Sequence, residues 1–359
     1  MAAGRAADVL LVSLGSTAGL RRADDELADS LRRAGARVEL ARPVAPPPRP
    51  TLMLTDLAWA RAARRAAREP LERQGRAPAG AVIYSTTTAA LLWHRPGAIR
   101  FDALAASNRP GRHGLWQRPL ERSRLREAPL LLPWSEGSLD GLADEDASTR
   151  TLVMPVPVEP SGPPPAAAEQ PAASGQPPRD IAAVTYAANP AKKGLDRVLG
   201  AWWQLRGRAG PDERVVADEL VIAGVAKEQL VRAGLIAAEE PGVRVTGPLS
   251  PDDFRALLRR ARVFVCAPRR EDYGIVQLEA LADGCQLVTT AAPGPYAALP
   301  IARELDARLV GNDLAASLRA ALEQPLVDYA ESARAALAPF SRDAVDRIVA
   351  DELLPRLLA

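Results

Sequence analysis

The chain has 359 residues, long enough for two domains with separate cores. Hydrophobic residues make up 47% and charged residues 25%, an ordinary globular composition. Its 46 Lys and Arg nearly cancel its 44 Asp and Glu, leaving a formal charge of +2, so the concentrated basic excess of a dedicated nucleic-acid binder is missing.

The segment Met1 to Asp8 lacks the apolar core of a signal peptide, and the run after it reads as a strand. No stretch approaches the roughly 18 apolar residues that span a bilayer. The cytoplasm is the expected compartment, with peripheral contact at the inner face of the membrane left open. The arginine-dominated basic set also leaves open a weak attraction to anionic lipid or phosphorylated substrates.

In the first half, short apolar runs alternate with helical stretches. Val9–Leu14 is a strand candidate, followed by Gly15-Ser16-Thr17-Ala18-Gly19 and a helix to about Ala34. Leu20, Leu27 and Leu31 recur there at near-helical spacing, and Gly35 sits where a C-terminal cap belongs. Val38–Ala41 is the next strand and Pro43–Pro50 a stiff connection, after which Asp56 is expected to cap a long Ala/Arg helix. Ala81–Ser85, Ile99–Asp102 and Leu130–Pro133 are further strands. From Pro155 to Asp180 the pattern collapses into Pro, Ala, Gly, Ser and Gln, which reads as a surface linker.

The alternation then restarts. Strands are expected at Ile181–Tyr186, Leu220–Ala223, Val243–Thr246, Val263–Ala267 and Gln286–Thr289. Helices are expected at Gly194–Leu205, at Pro251–Ala261 behind a Ser250 cap, and at Ile275–Ala282. Cys266 and Cys285 fall in apolar runs, and two thiols make neither a disulfide framework nor a metal site. The expected fold is α/β, with two Rossmann-like doubly wound domains facing across a cleft. The expected divisions are 1–155, a linker at 156–180, a second domain at 181–340, and a terminal helix at 341–359 that packs back toward the first domain.

The most informative stretch runs from Ala267 to Gly284. A buried strand ends, a charged loop containing Glu271 follows, and Gly274 opens a helix that carries Glu279. Glycine lets a ligand approach the backbone, and the free N–H groups at a helix start attract phosphate. Five helical residues cover roughly 7–8 Å, so the two carboxylates could clasp hydroxyls at opposite ends of one nucleotide sugar. By spacing alone, Glu279 suits a solvated helix face equally well.

Glu271 to Glu279, with Asp-Tyr-Gly between them and Leu-Glu-Ala-Leu-Ala-Asp-Gly after, resembles the Glu-x7-Glu signature of glycosyltransferase family 4. Lys192-Lys193-Gly194-Leu195-Asp196 looks like that family's Lys-Gly-hydrophobic-Asp segment. Leu220–Gly224 and Val243–Gly247 are similar to its next two strand-Gly elements, and Ser341-Arg342-Asp343 to its C-terminal end. The resemblance is specific over about 181–350 and mostly topological over 1–150. It implies a GT-B fold and a retaining transfer from a nucleotide-diphosphate sugar (UDP-, GDP- or ADP-linked) to a glycan, lipid or small-molecule acceptor, with no metal and no cofactor. Lys193 would neutralise the diphosphate, Glu271 would bind sugar hydroxyls and Glu279 the ribose. The amides of Gly274, Ile275 and Val276 would hold the phosphates or the sugar.

In the first half, Gly15 falls where the family has a glycine-containing loop, and a plain tight turn fits as well. His113, in a polar loop after a strand, falls where the family often has an acceptor-side histidine; a solvated loop histidine is the alternative. Ser135-Glu136 resembles a short Ser-Glu turn of the family. Trp116 and Trp134 suit core packing better than stacking on a sugar.

Two departures stand out. The family's usual Arg, six residues before the phosphate Lys, is here Ala187, so another guanidinium such as Arg269 or Arg270 would have to replace it. Ala292-Pro293-Gly294-Pro295-Tyr296 replaces the more usual Gly-Gly-x-x-Glu. Two rival functions follow: an epimerase or hydrolase of nucleotide sugars on the same fold, or a non-catalytic nucleotide-sugar binder that supports a partner transferase.

Overall fold

The computed structural model describes residues 7–74, 80–109, 111–142, 145–162, 179–207 and 219–359. Two compact units emerge, one from Met1–Pro157 with Pro339–Ala359 and the other from Val158–Ala338. Much of the expected linker, 163–178, lies outside the described residues. Its flanks are packed rather than free: Val156 and Val158 are buried, and Ser161 is hydrogen-bonded to Asp283.

The first unit has strands β1 (Val9–Val12), β2 (Val38–Ala41), β3 (Ala81–Tyr84), β4 (Ala98–Phe101) and β5 (Leu131–Pro133), in the order β2-β1-β3-β4-β5. Every pairing is parallel, starting from Val9 opposite Val38 and Ala81. All four residues of β1 are buried, as a central strand covered on both faces requires. The strand order reverses between β1 and β3, and there the Leu14 amide donates to Ser85 Oγ at 2.9 Å. That bond ends β1 short of Leu14.

The Ala18–Arg33 helix is capped by Thr17 and covers the sheet with Leu27 and Leu31. Val345, Val349 and Leu353, from the helical C-terminal segment, join the same core layer. Asp346 of that segment is bonded to Ser30 and lies 2.6 Å from Arg33 Nε.

Asp56 does not cap its helix. The helix spans Leu52–Gln74, and Thr51 Oγ1 accepts from the Leu54 amide at 3.2 Å. Asp56 lies a turn further in, nearly buried, and accepts from Arg109 Nε at 2.7 Å and Nη2 at 3.1 Å. A partner 53 residues away decides its place, which a local capping rule does not register.

Arg100 and Asp24 are both buried in this unit, 3.7 Å apart, with Arg100 also 4.7 Å from the centre of the Trp134 ring. Burial pushes the Asp24 carboxyl up to about 6, and the downward pulls of Arg100, Ser13 and Ser85 only partly offset it. A folded-state pKa above the unfolded value means that the folded chain holds its proton longer. This group's contribution therefore weakens stability as pH rises from about 4 to about 6, by roughly 3 kcal/mol at ~1.4 kcal/mol per unit. Urea unfolding of Asp24→Asn across that window should lack this component of the slope; an unchanged slope would assign it elsewhere.

The second unit repeats the plan with β6 (Ile181–Tyr186), β7 (Leu220–Ala223), β8 (Val243–Gly247), β9 (Ala261–Cys266) and β10 (Gln286–Thr289), all parallel, in the order β10-β9-β6-β7-β8. Its reversal point lies between β6 and β9. In open parallel sheets, ligands bind outside the carboxyl ends of the strands at such a point.

Candidate active site

The chain leaves β6 at Tyr186 and turns through Pro190–Lys193, where Asn189 Oδ1 accepts from the Lys192 amide at 3.0 Å. Gly194 follows in the left-handed region at φ +63, and a Cβ there would stand 1.9 Å from the carbonyl oxygen of Ala267. The segment after β9 thus runs against the segment after β6, and the Arg269 amide donates to the Lys192 carbonyl at 3.0 Å. Only glycine permits this approach. Gly194→Ala is expected to cost at least about 1–3 kcal/mol, read as a lowered melting temperature; an unchanged melting temperature would contradict the close packing.

That lacing brings Lys193 to Glu271 at the reversal point. Lys193 Nζ lies 2.6 Å from Glu271 Oε2, and Gln277 Nε2 donates to the same oxygen at 3.0 Å. The Glu271 side chain is 7% exposed and that of Lys193 21%, so the carboxylate is nearly enclosed while the ammonium still meets solvent. Beside them Asp272 takes Lys192 at 3.0 Å and Arg270 at 2.7 Å. Burial pushes the Asp272 carboxyl upward, but the two cations outweigh it and hold it below its usual value.

Gly274, at φ +91, sits at the N-cap of the Ile275–Ala282 helix, and a Cβ on it would come within 3.0 Å of the Tyr296 ring. The first amides of any α-helix lack partners within that helix, so those of Ile275 and Val276 are suited to an anion. The Ala292–Tyr296 loop supports this turn from behind. Pro293 O accepts from the Glu271 amide at 3.1 Å, and the Tyr296 hydroxyl lies 2.9 Å from Thr289 Oγ1. Cys266 and Cys285 are free and buried, and burial raises both thiols, Cys285 to about 12.

Glu279 is not on a solvated face. It is 4% exposed, with Arg255 Nη1 3.6 Å from its Oε1. Arg255 also donates through Nε to Asp283 at 2.6 Å and through Nη2 to the Glu159 carbonyl at 2.6 Å. Arg269 and Arg270, the expected substitutes for the guanidinium missing at Ala187, are engaged by Asp196 at 2.7 Å and Asp272 at 2.7 Å. Arg255 is the buried guanidinium beside the site that sequence reasoning missed. Its one local signal is an arginine at a core-facing position, one residue after Phe254 and three before Leu258, where a buried charge requires a carboxylate partner.

In the first unit, Gly15 lies just past β1 at φ +59, with its carbonyl accepting from Arg21 Nη1 at 2.8 Å. His113 is exposed on a single 3-10 turn, Gly111–Gly114, with no side-chain partner among the described residues. Glu136 is exposed on another such turn, Glu136–Leu139; Trp134 is buried and Trp116 half-buried. Among the described residues, no group of three His, Cys, Asp or Glu is arranged to hold a metal ion, and no helix is long and apolar enough to cross a membrane.

Comparison with known proteins gives a sequence match and a set of structural likenesses. Residues 179–328 match the sequence model of the family described as Glycosyl transferases group 1. No curated protein matches the chain. Among solved structures, WaaG, a glycosyltransferase involved in lipopolysaccharide biosynthesis, is similar with a TM-score of 0.64 at 17% identity, over 94% of this chain and 98% of that one. The sucrose-phosphate synthase of Thermosynechococcus elongatus gives 0.59 at 16% identity, over 94% and 96%. The UDP-forming alpha,alpha-trehalose-phosphate synthase of Burkholderia xenovorans gives 0.59 at 13% identity, over 94% and 85%. The fold is therefore GT-B, built of two Rossmann-like units, and residues 179–328 of the second match the group 1 glycosyl transferases.

Proposed function

We propose that this chain is a retaining, metal-independent glycosyltransferase of family 4, taking a glycosyl group from a nucleotide-diphosphate sugar to an acceptor hydroxyl. The observation that carries the reading is the contact of Lys193 with Glu271 at 2.6 Å, at the sheet's reversal point and beside the helix start at Gly274. The match of residues 179–328 to group 1 glycosyl transferases supports it.

In this reading the diphosphate takes over the Lys193 ammonium and lies against the amides of Gly274, Ile275 and Val276. Glu271, released from Lys193 but still held by Gln277, turns to the sugar hydroxyls, and Glu279 receives the ribose. The bond from the anomeric carbon to the phosphate oxygen breaks as the acceptor oxygen bonds to that carbon. The acceptor proton passes to the departing diphosphate on the same face. Lys193 and the helix amides stabilise the charge that develops on the leaving group. Gly15 and His113 are assigned to the donor and the acceptor respectively.

The test is an assay with labelled UDP-, GDP- and ADP-sugars and a panel of glycan, lipid and small-molecule acceptors. Acceptor-dependent release of nucleoside diphosphate, with the anomeric configuration retained by NMR, is the expected result. Acceptor-independent hydrolysis or an isomerised donor would replace this reading with the hydrolase or epimerase. Donor binding without turnover would favour the non-catalytic binder.

A further inference from the structure

The second unit has a further cavity that the candidate active site does not use. A groove of about 550 Å³ is lined by the Leu195–Gly207 helix and the start of the Leu314–Glu323 helix, and none of Lys193, Glu271, Gly274 or Glu279 reaches it. Its volume falls within the roughly 300–1,000 Å³ usual for small-ligand sites. Arg197 and Gln204 line it from the first helix, Asn312 and Asp313 from the start of the second. Arg197, Gln204 and Asn312 are exposed, and their side chains have no hydrogen-bond or ion-pair partner among the described residues. Asp313 Oδ1 accepts from the Ala316 amide at 2.9 Å, so this helix start is capped by its own chain. The second oxygen of Asp313 has no partner among the described residues. Ala201, Pro268 and Leu314 add apolar surface to the lining.

A guanidinium only donates hydrogen bonds and a carboxylate only accepts them, whereas the side-chain amides of Gln204 and Asn312 do both. A phosphate offers acceptors alone and would set its charge against Asp313. An ammonium offers donors alone and would meet Arg197. A sugar hydroxyl donates and accepts at once, so a polyhydroxyl ligand finds a partner in each of the four side chains. A nucleobase has a similar mixed set but binds by stacking on an aromatic ring, and none lines the groove among the described residues. We propose that this groove is a binding site for a neutral saccharide, separate from the candidate active site. Pro293 belongs to its wall, and the Pro293 carbonyl accepts from the Glu271 amide at 3.1 Å, so the two sites meet at one loop without sharing a ligand-binding side chain.

The full-length protein would be applied to an array of neutral oligosaccharides built of hexoses, N-acetylhexosamines and deoxyhexoses, and any saccharide bound would then be titrated by calorimetry. Binding that salt does not weaken is expected, since no ligand charge is there to screen. The double substitution Gln204→Ala with Asn312→Ala should weaken it at least about tenfold. It should leave the melting temperature unchanged, because neither side chain holds another residue. Lys193→Ala and His113→Ala should each bind as the wild type does, which separates this groove from the candidate donor and acceptor positions. An array without a bound saccharide, undiminished binding by the double variant, or binding that depends on Lys193 or His113 would overturn the proposal.

Discussion

Lys193→Ala is expected to lower kcat by about 10²–10³-fold with the fold intact. The Lys193 ammonium, 2.6 Å from Glu271, stands at the sheet's reversal point, and like Arg269, Arg270 and Arg255 it is held by a carboxylate, from which a diphosphate would have to take it. Its partial exposure limits its share of stability, and Glu271 keeps the Gln277 bond when it is gone. Lys193→Arg should recover part of the rate, since the charge returns on a longer and wider head. Steady-state kinetics alongside thermal melting separates the cases. Turnover near wild type in Lys193→Ala would remove this residue from the chemistry and with it the reading of the site.

The largest loss of stability is expected from Arg255→Met, about 3–5 kcal/mol in urea unfolding. Arg255 is buried among Asp283, Glu279 and the Glu159 carbonyl, and removing it leaves two carboxylates enclosed without their cation. Asp283 also receives the Ser161 amide at 2.8 Å, and Arg259 bonds to Ser161 Oγ at 2.5 Å. One cluster therefore fastens the strap that opens the second unit onto the helix carrying Glu279. Burial works against the Arg255 charge, yet Asp283 and Glu279 outweigh it and raise its pKa further. Arg255→Lys should retain part of the stability. A loss below ~1 kcal/mol in Arg255→Met would show that the carboxylates find water instead.

The strands were legible because each is a short apolar run bounded by glycine, proline or charge, and central parallel strands need little else. The start of the Ile275–Ala282 helix was legible for a similar reason: Gly274 marks the positive φ that the turn requires. Side-chain partners were far less legible. Lys193 meets Glu271 across 78 residues and Asp56 meets Arg109 across 53, so local capping and spacing rules had no access to either pair. The burial of Glu279 belongs to the same class, because a carboxylate eight positions after Glu271 reads alike on a solvated or an enclosed face until Arg255 is placed beside it. The packed flank of the supposed linker was hidden by its composition: Val156, Val158 and Ser161 are too few among prolines and alanines to show a periodicity.

The central claim is that the second unit holds a nucleoside diphosphate through Lys193, the Gly274 turn and Glu279. Thermal melting of the purified chain against UDP, GDP, ADP, CMP and dTDP and their sugar conjugates tests it most directly, since a ligand that binds only the folded state raises the melting temperature with its saturation. One nucleotide diphosphate should raise it clearly, and Lys193→Ala and Glu279→Ala should each abolish that rise. No shift with any nucleotide, or a shift that survives both substitutions, would contradict the claim.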